Sequence, residues 1–233
     1  MATTDFSAQV SGLGALADPL REQLYRYVCE QPAPVSIDDA AAATGMARHT
    51  AKFHLDRLAV AGLLDTEYRR PPGRTGPGAG RPTKFFRRSA TEVSVSLPER
   101  HYDLAAHVLA EAIQESVRDA SPVLPAVIRV AAEVGADVAT DSGGAEVGDA
   151  GERDPVAATC RALATHGYEP RRDEATITLA NCPFHSLAKE HTELVCGMNL
   201  ALVGAISERL GEGKLQARLD PAEDRCCVVL AVT

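Results

Sequence analysis

The hydrophobic positions recur at helical spacing over most of the chain, interrupted by short strand-like runs and turn-forming clusters. In "ADPLREQLYRYVCE", Leu20, Leu24, Tyr27 and Val28 share one helical face behind Asp18, a good N-cap, and Pro19, which suits the first helical position. The "QPAPV" break ends this helix. Ser36 then caps a short helix with Asp38 and Asp39 in its first turn, where the macrodipole favours acids, and Gly45 stops it. A further helix follows at once: Ala51, Leu55, Leu58 and Ala59 form its apolar stripe, while Arg48, His49, Lys52 and Phe53 project elsewhere. "AGLLDTEYRR" reads as a turn into a strand, "PPGRTGPGAGRPT" as a Pro/Gly loop and "KFFRR" as a returning strand, which predicts a hairpin with a long basic tip.

Two long helices are predicted next, one with Leu104, Val108, Ala112 and Ile113 on its apolar face and one with Leu124, Val127, Ile128, Ala131 and Val134. The acidic, Gly-rich stretch from Thr140 to Asp154 reads as a mobile loop. After it come the helix "PVAATCRALATHG", stopped by Gly167, a strand pair ending in "ATITLAN", a helical region over 186–210, and the strands "KLQARLD" and "RCCVVLAV". The expected fold class is therefore α+β, in four segments. They are an N-terminal domain over 1–98, a helical linker and dimerisation segment over 99–140, a mobile acidic loop over 141–153, and a C-terminal α+β sensor domain with a small antiparallel sheet over 154–233.

Length and composition fit two modest soluble domains: 233 residues, 45% hydrophobic and 24% charged. No apolar run reaches the roughly 18 residues of a membrane span, and the N-terminus lacks an export signal, so a cytoplasmic protein without membrane partners is expected. In that reducing compartment the six cysteines point to metal ligation, catalysis or burial rather than to disulfides. Charge is uneven. Residues 1–100 hold thirteen Lys/Arg against eleven Asp/Glu, and residues 101–233 hold eleven against twenty-one. Between Arg69 and Arg88 there are seven basic residues and no acidic one, a footprint a polyanion would feel.

Two short helices joined by a tight glycine turn have the layout of a helix-turn-helix, which places its second helix in the major groove, and the basic hairpin then serves as a wing. The residues assigned to DNA are Arg48, His49, Thr50, Lys52 and Phe53 on the second helix and Arg69, Arg70, Arg74, Arg81 and Lys84 on the hairpin. Arg81, between Gly80 and Pro82, either enters a narrow A·T-rich minor groove or touches phosphate alone. Ala47 stands where a capping residue would precede the second helix, so that end is expected to be weakly capped. The stretch "SIDDAAAATGMARHTAKFHLDRLAVAGLL", followed by "GRPTKFF", resembles the winged-helix domain of ArsR-like bacterial transcriptional regulators over residues 10–90.

Cys29 and Cys160 lie on apolar helical faces and read as packing residues. Cys182 differs, because it follows a strand and precedes Pro183; Cys196 comes fourteen residues later, with His185 and His191 between them. Cys226 and Cys227 open a strand, so strand alternation predicts that only one of them faces any common site. A thiolate-rich set with neighbouring imidazoles suits an iron-sulfur cluster or zinc. Catalysis is not expected, since neither an oxyanion-type glycine motif nor an orienting residue accompanies a Cys-His pair. The winged helix followed by "NCPFHSLAKEHTELVC" and a terminal "CC" strand resembles the iron-sulfur-sensing SufR-like repressors over nearly the whole chain. That resemblance implies a cluster on Cys182, Cys196 and one of Cys226 and Cys227, with His185, His191 or an external group as fourth ligand. It also implies a repressor whose operator affinity changes when the cluster is lost or oxidised. A homodimer on an inverted repeat is expected separately, because one winged helix offers too small a specific interface to compete with non-specific sites.

Overall fold

Asp18 caps the helix behind it as its position demands: its carboxylate accepts the amides of Leu20 at 2.9 Å and Arg21 at 3.2 Å. In the computed structural model, which describes residues 6–69, 82–143 and 154–233, the chain is a mixed α+β protein of two units, Met1–Val95 and Ser96–Thr233. The first unit runs α1 (Phe6–Leu16), α2 (Pro19–Glu30), β1 (Val35–Ser36), α3 (Ile37–Thr44), α4 (Arg48–Val60), β2 (Leu64–Arg69) and β3 (Thr83–Arg88). Ser36 and Asp39 form a reciprocal capping box at the start of α3, the Asp39 amide donating to Ser36 Oγ at 3.1 Å and the Ser36 amide to Asp39 Oδ2 at 3.3 Å. At its end Gly45 takes φ +70°, a conformation glycine adopts without steric cost, and the Met46 amide turns back to Ala41 O at 3.1 Å. Ala47 gives α4 no side-chain cap.

Leu24 and Val28 of α2, Ala40 of α3, and Ala51, Leu55 and Leu58 of α4 close over a three-stranded sheet of order β1-β3-β2, into which Phe86 inserts fully buried. β2 and β3 pair antiparallel from Leu64↔Arg88 to Arg69↔Thr83. The hairpin is therefore the one the sequence pattern predicts, and its tip, with Arg70, Arg74 and Arg81, lies outside the described residues. Helix α1 has no counterpart in the predicted elements, because "FSAQVSGLGAL" carries two glycines and leaves Phe6, Val10 and Leu13 exposed. It packs through buried Gly12, where a Cβ would lie 3.6 Å from Val93 and 3.7 Å from Ala61 O.

The second unit runs α5 (Tyr102–Asp119), α6 (Val123–Gly143), α7 (Pro155–Ala164), β4 (Pro170–Arg172), β5 (Thr176–Leu179), α8 (His185–Glu190), α9 (Thr192–Leu210), β6 (Leu215–Leu219) and β7 (Val228–Val232). Its sheet has the order β4-β5-β7-β6 with every pair antiparallel. Ile177, Leu179, Val228 and Leu230 of the sheet share one core with Val127, Val130 and Ala131 of α6 and with Val195, Met198, Leu202 and Ile206 of α9.

The segment read as a linker over 99–140 is thus part of this unit: Val108 and Ala112 of α5 and the inner face of α6 are buried in the same core. Of the predicted stripes, Val108, Ala112, Val127 and Ala131 face inward, whereas Ile113, Leu124 and Ile128 are exposed; Ala105 and Ala126 are buried as well, because small residues let these helices approach closely. Gly135 marks the closest approach, since a Cβ there would fall 2.4 Å from Leu202 O on α9. Helix α6 continues to Gly143, four residues into the stretch read as loop, and Asp154 at the far end of that stretch caps α7 by accepting the Val156 amide at 3.0 Å. Residues 144–153, which carry the rest of the expected mobile loop, lie outside the described residues. The predicted helix over 186–210 is broken at His191, whose φ of −130° and ψ of 53° separate α8 from α9.

Candidate functional site

Cys182 stands in the loop after β5, and that loop is fixed by buried polar contacts. Asn181 donates through Nδ2 to Glu99 O at 2.9 Å and to Gly167 O at 2.5 Å, and its Oδ1 accepts from Arg100. Arg100 also donates to Cys182 O at 3.0 Å, and the His101 amide donates to Pro183 O at 3.1 Å. At Gly167, φ +75°, a Cβ would meet the His101 ring at 3.0 Å, so the chain passes there only as glycine. Cys196 lies in the first turns of α9, buried, with Asn199 three residues on. The tandem pair sits in the bend before β7: the Cys226 amide donates to Leu179 O at 2.8 Å, and Cys227 O accepts the Asp220 amide at 2.7 Å.

Both thiols of the tandem pair reach the sulfur group, against the expectation that only one would. Strand alternation does not govern them, because β7 begins only at Val228. The four thiols are neighbours that perturb one another: Cys226 and Cys196 each act on both Cys182 and Cys227. Cys226 is the acceptor at the centre. Hydrogen bonds from the Cys182 and Cys227 thiols, joined by those from the Val228 amide and Asn199, hold its pKa far below the usual thiol range despite burial. The same bonds, with burial, push Cys182 and Cys227 far up.

Asn199 and Tyr168, which the sequence reading passed over, complete the surroundings. Asn199 Nδ2 donates to Cys226 Sγ at 3.1 Å, and the Tyr168 hydroxyl donates to Asn199 Oδ1 at 2.5 Å. The available signal was an amide in the otherwise apolar run "VCGMNLALVGAI", one helical turn from Cys196. His185 meets the loop through its amide, which donates to Cys182 O at 3.1 Å, while burial first, then the charges of Lys189 and Arg100, hold its pKa below the ordinary value. His191 is exposed. Cys29 of the first unit and Cys160 of the second, expected as buried packing residues, are half-buried; Cys160 packs against the core of its unit.

The four sulfurs form an all-thiol donor set with no carboxylate among them, soft chemistry that fits an iron-sulfur cluster. Among the described residues, no three His, Cys, Asp or Glu side chains are arranged to hold a single metal ion.

In the first unit, Arg48, His49, Lys52 and Phe53 are exposed on α4, with Thr50 half-buried. Their charges are paired: Arg48 with Asp38 at 2.5 Å, and Lys52 with Asp56 at 2.7 Å. Asp56 holds Lys84 of β3 at 2.7 Å as well, tying helix to hairpin. Burial raises the Asp56 pKa, but the hydrogen bonds and charges of the two lysines outweigh it, leaving the carboxyl below its ordinary range. Arg69 pairs with Glu67 and lies 5.8 Å from the Phe85 ring centre. Arg57, absent from the predicted contacts, stacks 5.7 Å from Phe53, and His54 is buried with its Nδ1 unpartnered.

Comparison with protein-family models, with curated proteins and with solved structures finds no match to this chain. Among the described residues, no helix is long and apolar enough to cross a membrane.

Proposed function

We propose that the chain is a transcriptional repressor of the winged helix-turn-helix kind, whose affinity for an inverted-repeat operator is set by an iron-sulfur cluster held on Cys182, Cys196, Cys226 and Cys227. One observation carries the sensing half: cysteines from the 182 loop, from α9 and from the tandem pair, 45 residues apart at the extremes, lie close enough to perturb one another, three of them buried and Cys227 half-buried. Four thiols answer the need for a fourth ligand without His185. A cluster bound there would supply reversible one-electron chemistry and sensitivity to oxidants, while the protein orients the sulfurs and keeps water from them.

The DNA-reading half rests on α3, the Gly45 turn and α4, followed directly by the β2-β3 hairpin. Arg48, His49, Lys52 and Phe53 supply polar and apolar contacts for base edges, and Arg69 and Lys84 flank a hairpin tip that adds Arg70, Arg74 and Arg81. Asp38 and Asp56 hold three of these cations in the free protein, a role phosphate oxygens take over on DNA. Ile113, Val117, Leu124 and Ile128 form the exposed apolar face of the α5-α6 hairpin, and pairing of that face with a second copy makes the homodimer that two half-sites require.

The test is DNA affinity measured by fluorescence anisotropy on fragments selected from the source genome, anaerobically, with cluster-loaded and cluster-free protein. Loaded and cluster-free forms should differ by about 5- to 150-fold, the usual range of a coupling between two sites. Equal affinity in both forms, or no preference for any fragment over random DNA, would overturn the reading.

A further inference from the structure

We propose that Tyr168 and Asn199 form a two-member hydrogen-bond relay that positions the Cys226 sulfur, and that the relay sets the reduction potential of whatever iron-sulfur group those thiols hold. The second clause rests on the function proposed above; the first stands on geometry. Tyr168 and Asn199 are buried, and Cys226 is 1% exposed between them and the sheet. The relay is directional. The Tyr168 hydroxyl donates to Asn199 Oδ1 at 2.5 Å, which fixes the carboxamide rotamer and leaves Nδ2 aimed at Cys226 Sγ, 3.1 Å away. Asn199 is 1% exposed in a unit whose core is otherwise apolar, so its amide depends on these two partners.

A buried polar pair of this kind costs stability unless it is satisfied, and here satisfaction runs through sulfur. A donor fixed on one ligand sulfur stabilises the more negative, reduced state of a bound cluster more than the oxidised one, so it raises the potential. Of the four thiols, Cys226 alone receives a side-chain amide among the described contacts. Tyr168 and Asn199 are thus positioning residues acting through Cys226, not ligands.

The chain contains only two asparagines, Asn181 and Asn199, which makes the relay directly observable. In full-length, metal-free protein labelled with 15N-asparagine, two side-chain amide pairs should appear, and the one lost in Asn199→Leu is that of Asn199. Cys226→Ala should move this pair, Tyr168→Phe should move it to a different position, and Cys29→Ala should leave it in place. A pair that ignores both Cys226→Ala and Tyr168→Phe overturns the relay. On anaerobically reconstituted protein, Tyr168→Phe, which removes only a hydroxyl, should lower the midpoint potential enough to change the reduction equilibrium at least tenfold, about 59 mV for one electron. An unchanged potential in both Tyr168→Phe and Asn199→Leu, with iron and sulfide content as in wild type, overturns the tuning role. Wild-type protein that takes up neither iron nor sulfide sinks the proposed function and the tuning role with it, while the amide shifts still decide the relay.

Discussion

Gly135→Ala should destabilise the second unit, although the same substitution elsewhere in its helices should stabilise it. A Cβ at Gly135 would stand 2.4 Å from Leu202 O and 3.0 Å from Ala205 Cβ, where ordinary contact begins near 3.4 Å. The obstacle is the backbone of α9, so α6 and α9 must separate by up to about 1 Å along much of their contact. Overpacking of this kind costs about 1–3 kcal/mol, against a gain of about 1 kcal/mol from replacing a mid-helix glycine. The net expectation is a loss of up to about 2 kcal/mol. Gly197 of α9 has nothing within 4 Å of its virtual Cβ, and Gly204 meets only Ala217 at 3.9 Å. Alanine at either should stabilise by about 0.5–1 kcal/mol. Urea unfolding of the full chain, followed by far-UV circular dichroism, separates the cases through the midpoint at constant slope. Equal stabilisation by Gly135→Ala and Gly204→Ala would refute the close helix crossing.

Cys226→Ser and Cys227→Ser should each abolish cofactor content as Cys182→Ser and Cys196→Ser do, whereas Cys29→Ser and Cys160→Ser should not; metal and sulfide analysis of the six proteins checks this. Because the Asp56 pKa is depressed in the folded protein, its contribution to stability is complete above the unfolded value of about 3.9 and is lost as pH falls through the lower folded one. Asp56→Asn should therefore be less stable than wild type at pH 7, with the gap closing below about pH 4 in denaturation curves. The same variant releases Lys52 and Lys84, so its binding to random DNA should tighten and gain salt dependence, read as a steeper log-log slope. Val117→Glu with Ile113→Glu should yield a monomer by sedimentation that still unfolds cooperatively, since both side chains are exposed in the single subunit; an unchanged dimer would exclude the α5-α6 face.

Caps and turns were the most legible part of the sequence. Asp18, Ser36 with Asp39, and Gly45 act where their chemistry places them, because each satisfies backbone groups within its own few residues. The hairpin strands were legible for the same local reason. What escaped depended on partners far along the chain. The inward stripe of α5 and α6 was misread toward Ile113 and Leu124 because large apolar residues carry the periodic signal, while the tight crossing on α9 selects Ala and Gly. The gathering of Cys182, Cys196 and the tandem pair needs the β5-β7 pairing and the α9 register, neither visible in a local window. The asymmetry expected of Cys226 and Cys227 failed because the strand starts one residue beyond them. Asn199 gave a weak signal on its own, and only the 3.1 Å contact with Cys226 gives it a role.

The central claim, that the four thiols hold an iron-sulfur cluster, is tested most directly by iron, acid-labile sulfide and zinc analysis of the full-length protein purified without oxygen. The expected result is a brown protein with iron and sulfide in matching amounts and negligible zinc. A colourless protein containing zinc, or one free of iron and sulfide even after anaerobic reconstitution, would contradict it.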